Sequence, residues 1–306
     1  MQIKPNFLIV GAAKSGSTSL YQYLSQHQEV FMPVNKEPNY FVAEYQQKMA
    51  KDCPSYKIDM NRMVFDENEY YNLFNKATLD HKAIGEATVT YLFKPEFAIP
   101  KIKKELGDPK IIIILRNPIK RAFSHYSYAC ELGLENLSFG QAIDAENFRL
   151  ENNWSSTFAY LNQGLFYSQV KAYKNAFTNV HILILDDFIK DKQFELQKIY
   201  NFLGIDSKFK NSFEEKFNVS GIAKNKLLHK FLVHDDLVKN KIRSIASLFV
   251  SDEKLRKFAR KLRTMNQGDK LLISEYDNQK LKEIYNDDIN ALSKLLNLDL
   301  TKWLSE

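Results

Sequence analysis

Two short, continuous apolar runs constrain this chain more than any other feature. One is FLIV at residues 7–10, which ends in Gly11. The other is KIIIIL, Lys110–Leu115, bracketed by Asp108-Pro109 and Asn117-Pro118. A strand buried on one face alternates apolar and polar residues, whereas a strand covered on both faces has no polar position, as in a parallel sheet packed between helices. Residues 83–87 and VHILIL at 180–185 read as two more strands. Helical spacing fills the intervals at residues 17–26, 96–106, 118–130, 167–177 and 188–203. This alternation predicts an α/β fold, a P-loop-like, mostly parallel sheet flanked by helices.

Beyond residue 225 the strand signal stops. Residues 226–263 are apolar at helical spacing, with Leu255, Phe258, Ala259 and Leu262 at i, i+3, i+4 and i+7. Gly268 and Asp269 mark a turn, residues 278–296 read as a final helix, and Trp303 is placed to pin the C-terminus to the body. We therefore expect a single domain over residues 1–306, an α/β core to residue 225 followed by a helical C-terminal part at 226–306.

The first apolar run leads into GAAKSGST, residues 11–18. A glycine-bounded loop between a buried strand and a helix start presents backbone N–H groups and the positive end of a helix dipole, which together make an anion site. Gly11 and Gly16 have the spacing of a Walker A loop, but Ser17 stands where that motif has its lysine, and the one lysine, Lys14, lies inside the loop. Such a cradle is poorly suited to a Mg-bound triphosphate. Ser15, Ser17, Thr18 and Ser19 add hydroxyl donors. The second run leads into RNPIKRAFSHY, in which Arg116 stands at the C-terminal end of a central strand, where open α/β sheets bind ligands. Asn117 and Pro118 suit the start of the next helix, and Ser124 lies two turns further on. An arginine and a hydroxyl there can hold a separate phosphate.

Together these segments resemble the sulfotransferase family that uses 3′-phosphoadenylyl sulfate, in particular bacterial-type members related to the heparan sulfate and carbohydrate enzymes. Lys14, Gly16, Thr18 and Leu20 match the family's K-x-G-x-T-x-L loop, and Arg116 with Ser124 match its 3′-phosphate pair. VNKEPNYF (34–41), GEATVTYL (85–92) and FNVSGIAKNK (217–226) resemble three further family segments, so the resemblance covers nearly the whole chain. It implies a sulfotransferase domain that moves a sulfuryl group from 3′-phosphoadenylyl sulfate to a hydroxyl or amine, with a carbohydrate or glycolipid as acceptor. It implies Lys14 as the group that stabilises the leaving phosphate, and Glu37 as general base. Ser15 to Ser19, Arg116, Ser124 and the late-loop lysines Lys224 and Lys226 would hold the donor. Lys36, Glu86 and Thr88 would lie near the acceptor. Ala87 stands where the heparan enzymes carry a lysine, Val89 replaces their usual proline, and Cys53 and Cys130 do not reproduce the lid disulfide of the animal enzymes. These departures favour a cytoplasmic member with a different acceptor.

Bland alternatives stand beside each assignment. Glu37 could simply pair with Lys36; Glu86 could orient Lys14 or join a structural ion pair; His125, the rival base, reads better as a polar core residue. Residues 44–75 and 147–163 read as acceptor loops, and Tyr45, Tyr56, Phe65, Tyr70, Tyr71 and Trp154 could stack on sugars or pack the core. No His, Cys or Asp cluster has metal-ligand spacing, so no metal is expected. Net charge is +6, with thirteen basic against five acidic residues between Lys224 and Lys270. Within that segment KLRKFARKLR, Lys254 to Arg263, reads as a basic amphipathic helix suited to an anionic membrane face, to an anionic polysaccharide, or to docking on the body. Two cysteines, no apolar run of membrane-spanning length and an N-terminus that enters a strand at once point to the cytoplasm, with peripheral contact at the inner membrane face an option and no nucleic-acid partner. The rival functions are a P-loop nucleotide kinase and a non-catalytic protein that binds polyanions or membrane surfaces.

Overall fold

The structure is a computed structural model that describes residues 2–213 and 271–305. Five parallel strands form one sheet: β1 (Phe7–Gly11), β2 (Val30–Phe31), β3 (Ala83–Ala87), β4 (Lys110–Leu115) and β5 (Val180–Ile184), in the order β2-β3-β1-β4-β5. Six described helices have eight residues or more: α1 (Ser17–Leu24), α2 (Pro95–Leu106), α3 (Pro118–Glu131), α4 (Phe166–Ala176), α5 (Lys192–Leu203) and α6 (Glu275–Leu296). The four strands expected from sequence are all present. β2 was missed because two residues, Val30 and Phe31, are too few to show a period.

The pleat explains the two cores. Leu8, Val10, Ile111, Ile113 and Leu115 point to one side, where they meet α2, α3, α4 and α6. Phe7, Ile9, Ile112 and Ile114 point to the other, against α1 and α5. Fully burying one such side chain contributes roughly 1.5–3 kcal/mol. The C-terminal helix belongs to this body: Leu281, Tyr285, Ile289 and Leu292, at near-helical repeats, are buried in the first core, and Trp303 is fully buried beside them. Asn117 Nδ2 donates to the Trp303 carbonyl at 2.9 Å, so the end of the chain is fastened directly to the segment that follows β4.

Local chemistry sets the helix ends. Asn117 Oδ1 accepts from the N–H groups of Ile119 (2.9 Å) and Lys120 (3.3 Å), with Pro118 at the first position of α3, as the sequence suggested. α6 starts three residues before the expected Asn278 because Ser274 Oγ accepts from Asp277 N (3.0 Å) and Glu275 and Asp277 favour the first turn. The single helix expected at 188–203 is two, Leu185–Lys190 and α5, because Asp191 leaves helical geometry and caps Phe194 N at 3.0 Å. The expected helix at 226–263, the turn at Gly268 and Asp269, and the stretch from Lys254 to Arg263 lie outside the described residues. Among the described residues no helix is long and apolar enough to cross a membrane.

One buried ion pair holds the wall formed by residues 134–163. Arg149 Nη1 and Nη2 reach Glu135 Oε2 and Oε1 at 2.6 and 3.1 Å, and Tyr160 OH donates to Glu135 Oε2 at 2.9 Å. Removing one partner of a buried pair strands the other charge. Arg149→Ala is therefore expected to cost about 3–5 kcal/mol, read as a lower urea midpoint at unchanged m-value.

Candidate active site

β1 lies between β3 and β4, so the chain leaves β1 toward one edge of the sheet and returns at β4 toward the other. At this reversal the loops after β1 and β4 open a crevice at the carboxyl ends of the strands, the usual ligand position in such sheets. A cleft of ≈ 810 Å³ occupies it, lined by Lys14, Gly16, Ser17, Thr18, Ser19, Arg116, Ser124 and Glu37 among others.

The loop after β1 holds Lys14 and Gly16 at positive φ, 62° and 95°. At Gly16 a β-carbon would also come within 2.8 Å of Leu185 Cδ1, so both space and backbone require glycine. No side chain caps the start of α1, and its first turn carries no acid, so its leading N–H groups face the cleft without an internal acceptor. Ser15 is fully buried and its Oγ has no hydrogen-bond partner among the described residues. An orphaned hydroxyl next to the uncapped start of α1 fits an anion site, although Ser15 itself lies behind the cleft lining and its N–H donates to the Ala12 carbonyl at 3.3 Å.

Cationic groups complete the cradle. Arg116 Nη1 donates to the Lys14 carbonyl at 3.1 Å, which ties the two loops together. The Lys14 ammonium lies 4.1 Å from the Tyr128 ring centroid. Burial lowers its pKa to about 8; Arg116, Arg121 and Lys36 act in the same direction, and Glu131 opposes them.

Glu37 also lines the cleft. Its N–H donates to the Ala87 carbonyl (3.0 Å), and its Oε2 accepts from Val89 N (3.0 Å). Its Oε1 pairs with Lys36, which does not itself line the cleft. Glu37 and Asn39 have φ of 66° and 57°, and each non-glycine residue there costs roughly 1–2 kcal/mol. Their surroundings therefore have to enforce the turn that aims the carboxylate into the cleft.

The family model described as "Sulfotransferase domain" matches residues 4–261. The chain belongs to this family. It is 32% identical over 127 residues to the "Membrane-associated sulfotransferase kil1" of Dictyostelium discoideum, a match spanning 42% of this chain and 23% of that protein. It is 25% identical over 208 residues to human "Heparan sulfate glucosamine 3-O-sulfotransferase 6", spanning 66% of this chain and 52% of that protein. The chain thus spans about half the length, or less, of these curated relatives. A sulfotransferase crystal structure from Alicyclobacillus acidocaldarius superposes with a TM-score of 0.73 at 25% identity, covering 98% of this chain and 99% of that one.

Within this sulfotransferase fold the remaining candidates separate. Ser124 and His125 both line the cleft. Arg121 Nη1 stands 3.4 Å from His125 Nδ1; since a guanidinium only donates, Nδ1 accepts and the ring proton sits on Nε2. Burial, then Arg121 and Lys14, hold the His125 pKa well below the usual histidine range, which favours the neutral ring. Glu86 and Thr88 are fully buried and lie behind the cleft rather than on its lining. Burial raises the Glu86 pKa to about 7, against hydrogen bonds from Thr88 and Tyr91. Lys224 and Lys226 lie outside the described residues.

A further part of the cleft wall comes from the two segments read as acceptor loops. Ile58, Asp59, Arg62 and Met63 line it from one, and Ser155, Ser156, Thr157 and Gln163 from the other. Asp59 Oδ2 joins them, accepting from Ser155 Oγ at 2.5 Å. The sequence identified these loops, but no individual residue in them, because this pairing spans almost a hundred positions. Of the two options open for the aromatic candidates, packing holds, since none of the six lines the cleft. Tyr70 and Tyr71 are fully buried, and Tyr70 stacks on Tyr40 at 4.2 Å.

Proposed function

We propose that this protein transfers a sulfuryl group from 3′-phosphoadenylyl sulfate to a hydroxyl or amine of a carbohydrate or glycolipid acceptor. The observation that carries this reading is that the start of α1, two cations, Lys14 and Arg116, and the Glu37 carboxylate line one cleft, with the unpartnered Ser15 Oγ buried behind that lining. The donor, when bound, supplies an activated sulfuryl group on a bridging oxygen. This chain's own residues then position it and manage charge.

The N–H groups leading α1, with Ser15, Ser17, Thr18 and Ser19, grip the 5′-phosphosulfate. Arg116 and Ser124 hold the 3′-phosphate. Lys14 stands beside the bridging oxygen and stabilises the negative charge that appears there as its bond to sulfur breaks. Glu37 takes the proton of the acceptor as the new bond to sulfur forms. Lys36 pairs with the Glu37 carboxylate without being required for its action, and the wall of Asp59, Ser155, Thr157 and Gln163 receives the acceptor. We further place the protein in the cytoplasm, with Lys224 and Lys226 as donor-binding lysines and the stretch from Lys254 to Arg263 making any contact with an anionic membrane surface.

Calorimetric titration with adenosine 3′,5′-bisphosphate, without divalent metal, tests the donor site. Micromolar binding to the intact protein is expected. Arg116→Ala should weaken it about 10–100-fold, the equivalent of a charge-assisted hydrogen bond of ~1.5–3 kcal/mol. No binding, or binding indifferent to Arg116, overturns the proposal; Mg-dependent ATP binding in its place would point to a kinase.

A further inference from the structure

Glu86 is a buried carboxyl with no place in the roles described above. It sits on β3, is fully shielded from water, and its described partners are hydroxyls rather than cations. Thr88 Oγ1 donates to its Oε2 at 2.8 Å, Tyr70 OH to its Oε1 at 3.4 Å, and Tyr91 also hydrogen-bonds to it. Tyr91 OH in turn accepts from Phe41 N at 3.3 Å.

These contacts surround the attachment of the Glu37 loop. Glu37 N bonds to Ala87 O and Val89 N to Glu37 Oε2, while Phe41 N bonds to Tyr91 OH, so the turn with positive φ at 37 and 39 is held at both ends by residues 87–91. A carboxyl beneath residues 87–91 fixes Thr88 and Tyr91 together, because its two oxygens accept from both hydroxyls at once. Simple packing does not need an ionisable group here, since an apolar side chain would be cheaper to bury.

We propose that Glu86 is a positioning residue for Glu37. Acting through Thr88 and Tyr91, it holds the loop at 37–41 against the end of β3 so that the Glu37 carboxylate faces the cleft. The inference rests on the reading of Glu37 as the base, but the two fail separately.

The test uses the full chain with Glu86→Gln, Tyr91→Phe and the double variant. Glutamine keeps the volume but has a single acceptor oxygen, so the two hydroxyls cannot both be satisfied as before. Hydrogen exchange is followed in peptides covering 36–42 and 11–20. Exchange in 36–42 is expected to quicken about tenfold in each single variant, with the donor loop unchanged and the double variant little worse than either single one. With labelled 3′-phosphoadenylyl sulfate and an acceptor that the unaltered protein sulfates in a screen of oligosaccharides, kcat should fall about 10–100-fold while donor KM holds. Unchanged exchange at 36–42 in folded Glu86→Gln overturns the proposal, whether or not the screen yields an acceptor. So does loosening that spreads equally to 11–20, which marks a general stability role. If Glu86→Gln does not fold, Tyr91→Phe alone decides by the same peptides. Unaltered turnover in Glu37→Gln would instead sink the base assignment.

Discussion

Glu37→Gln is expected to lower kcat for sulfuryl transfer about 10²–10⁴-fold, the usual contribution of a positioned general base, with donor KM nearly unchanged. The amide keeps the size of the side chain and can still accept from Val89 N, so the turn at residues 37–39 survives and the loss is chemical. The competing account makes Glu37 only the ionic partner of Lys36. Lys36→Met separates the two: a base stays active without that partner, whereas a pair kept for stability loses as much from either side. Both side chains are partly open to water, at 18% and 25%, so the pair itself is worth at most about 1 kcal/mol. Single-turnover assays with labelled donor, alongside melting temperatures, distinguish the outcomes. Turnover within about threefold of the original in Glu37→Gln would remove it from the mechanism.

Lys14→Met is the second large effect. Loss of a charge aimed at the developing oxyanion should cost about 10²–10³ in kcat. It should also abolish a pH dependence expected of the intact protein. Lys14 loses its proton near pH 8, because burial works against its charge and Arg116, Arg121 and Lys36 add repulsion. Below pH 8 the ammonium is present; above it, the charge is lost unless a bound anion restores it. Affinity for adenosine 3′,5′-bisphosphate should therefore fall as pH rises from 7 to 9, by up to about tenfold per unit above 8. The ligand's phosphates are already ionised there, with a second pKa of ~6, and do not contribute to the trend. In Lys14→Met the affinity should be weaker and flat across the same range. Stability of the empty fold runs the other way. The unfolded chain holds the Lys14 proton up to the ordinary value of 10.5, so folding gains stability as pH rises from about 8 toward that value. Flat binding in the intact protein across pH 7–9 would remove Lys14 from the donor site.

The sequence alone determined the parts of this protein that depend on neighbours in the chain. A strand covered on both faces must be apolar throughout, which makes β1 and β4 readable and with them the α/β class. The anion cradle was equally local: a glycine-bounded loop, a lysine within it, a helix start, and an arginine followed by Asn-Pro at the end of β4. Tertiary structure decided what depends on contacts across the chain. It fastened Glu37 against the end of β3 in a turn whose positive φ no glycine announces, and it turned Glu86 inward where the resemblance implied a place near the acceptor. It joined the segments around Asp59 and Ser155 into one wall, and sent Tyr70 and Tyr71 into the core instead of the cleft. Chain order does not encode which side of a loop ends up facing water. That is settled when distant segments compete for the same buried space, and here β3 and the loop at 37–41 settled it together.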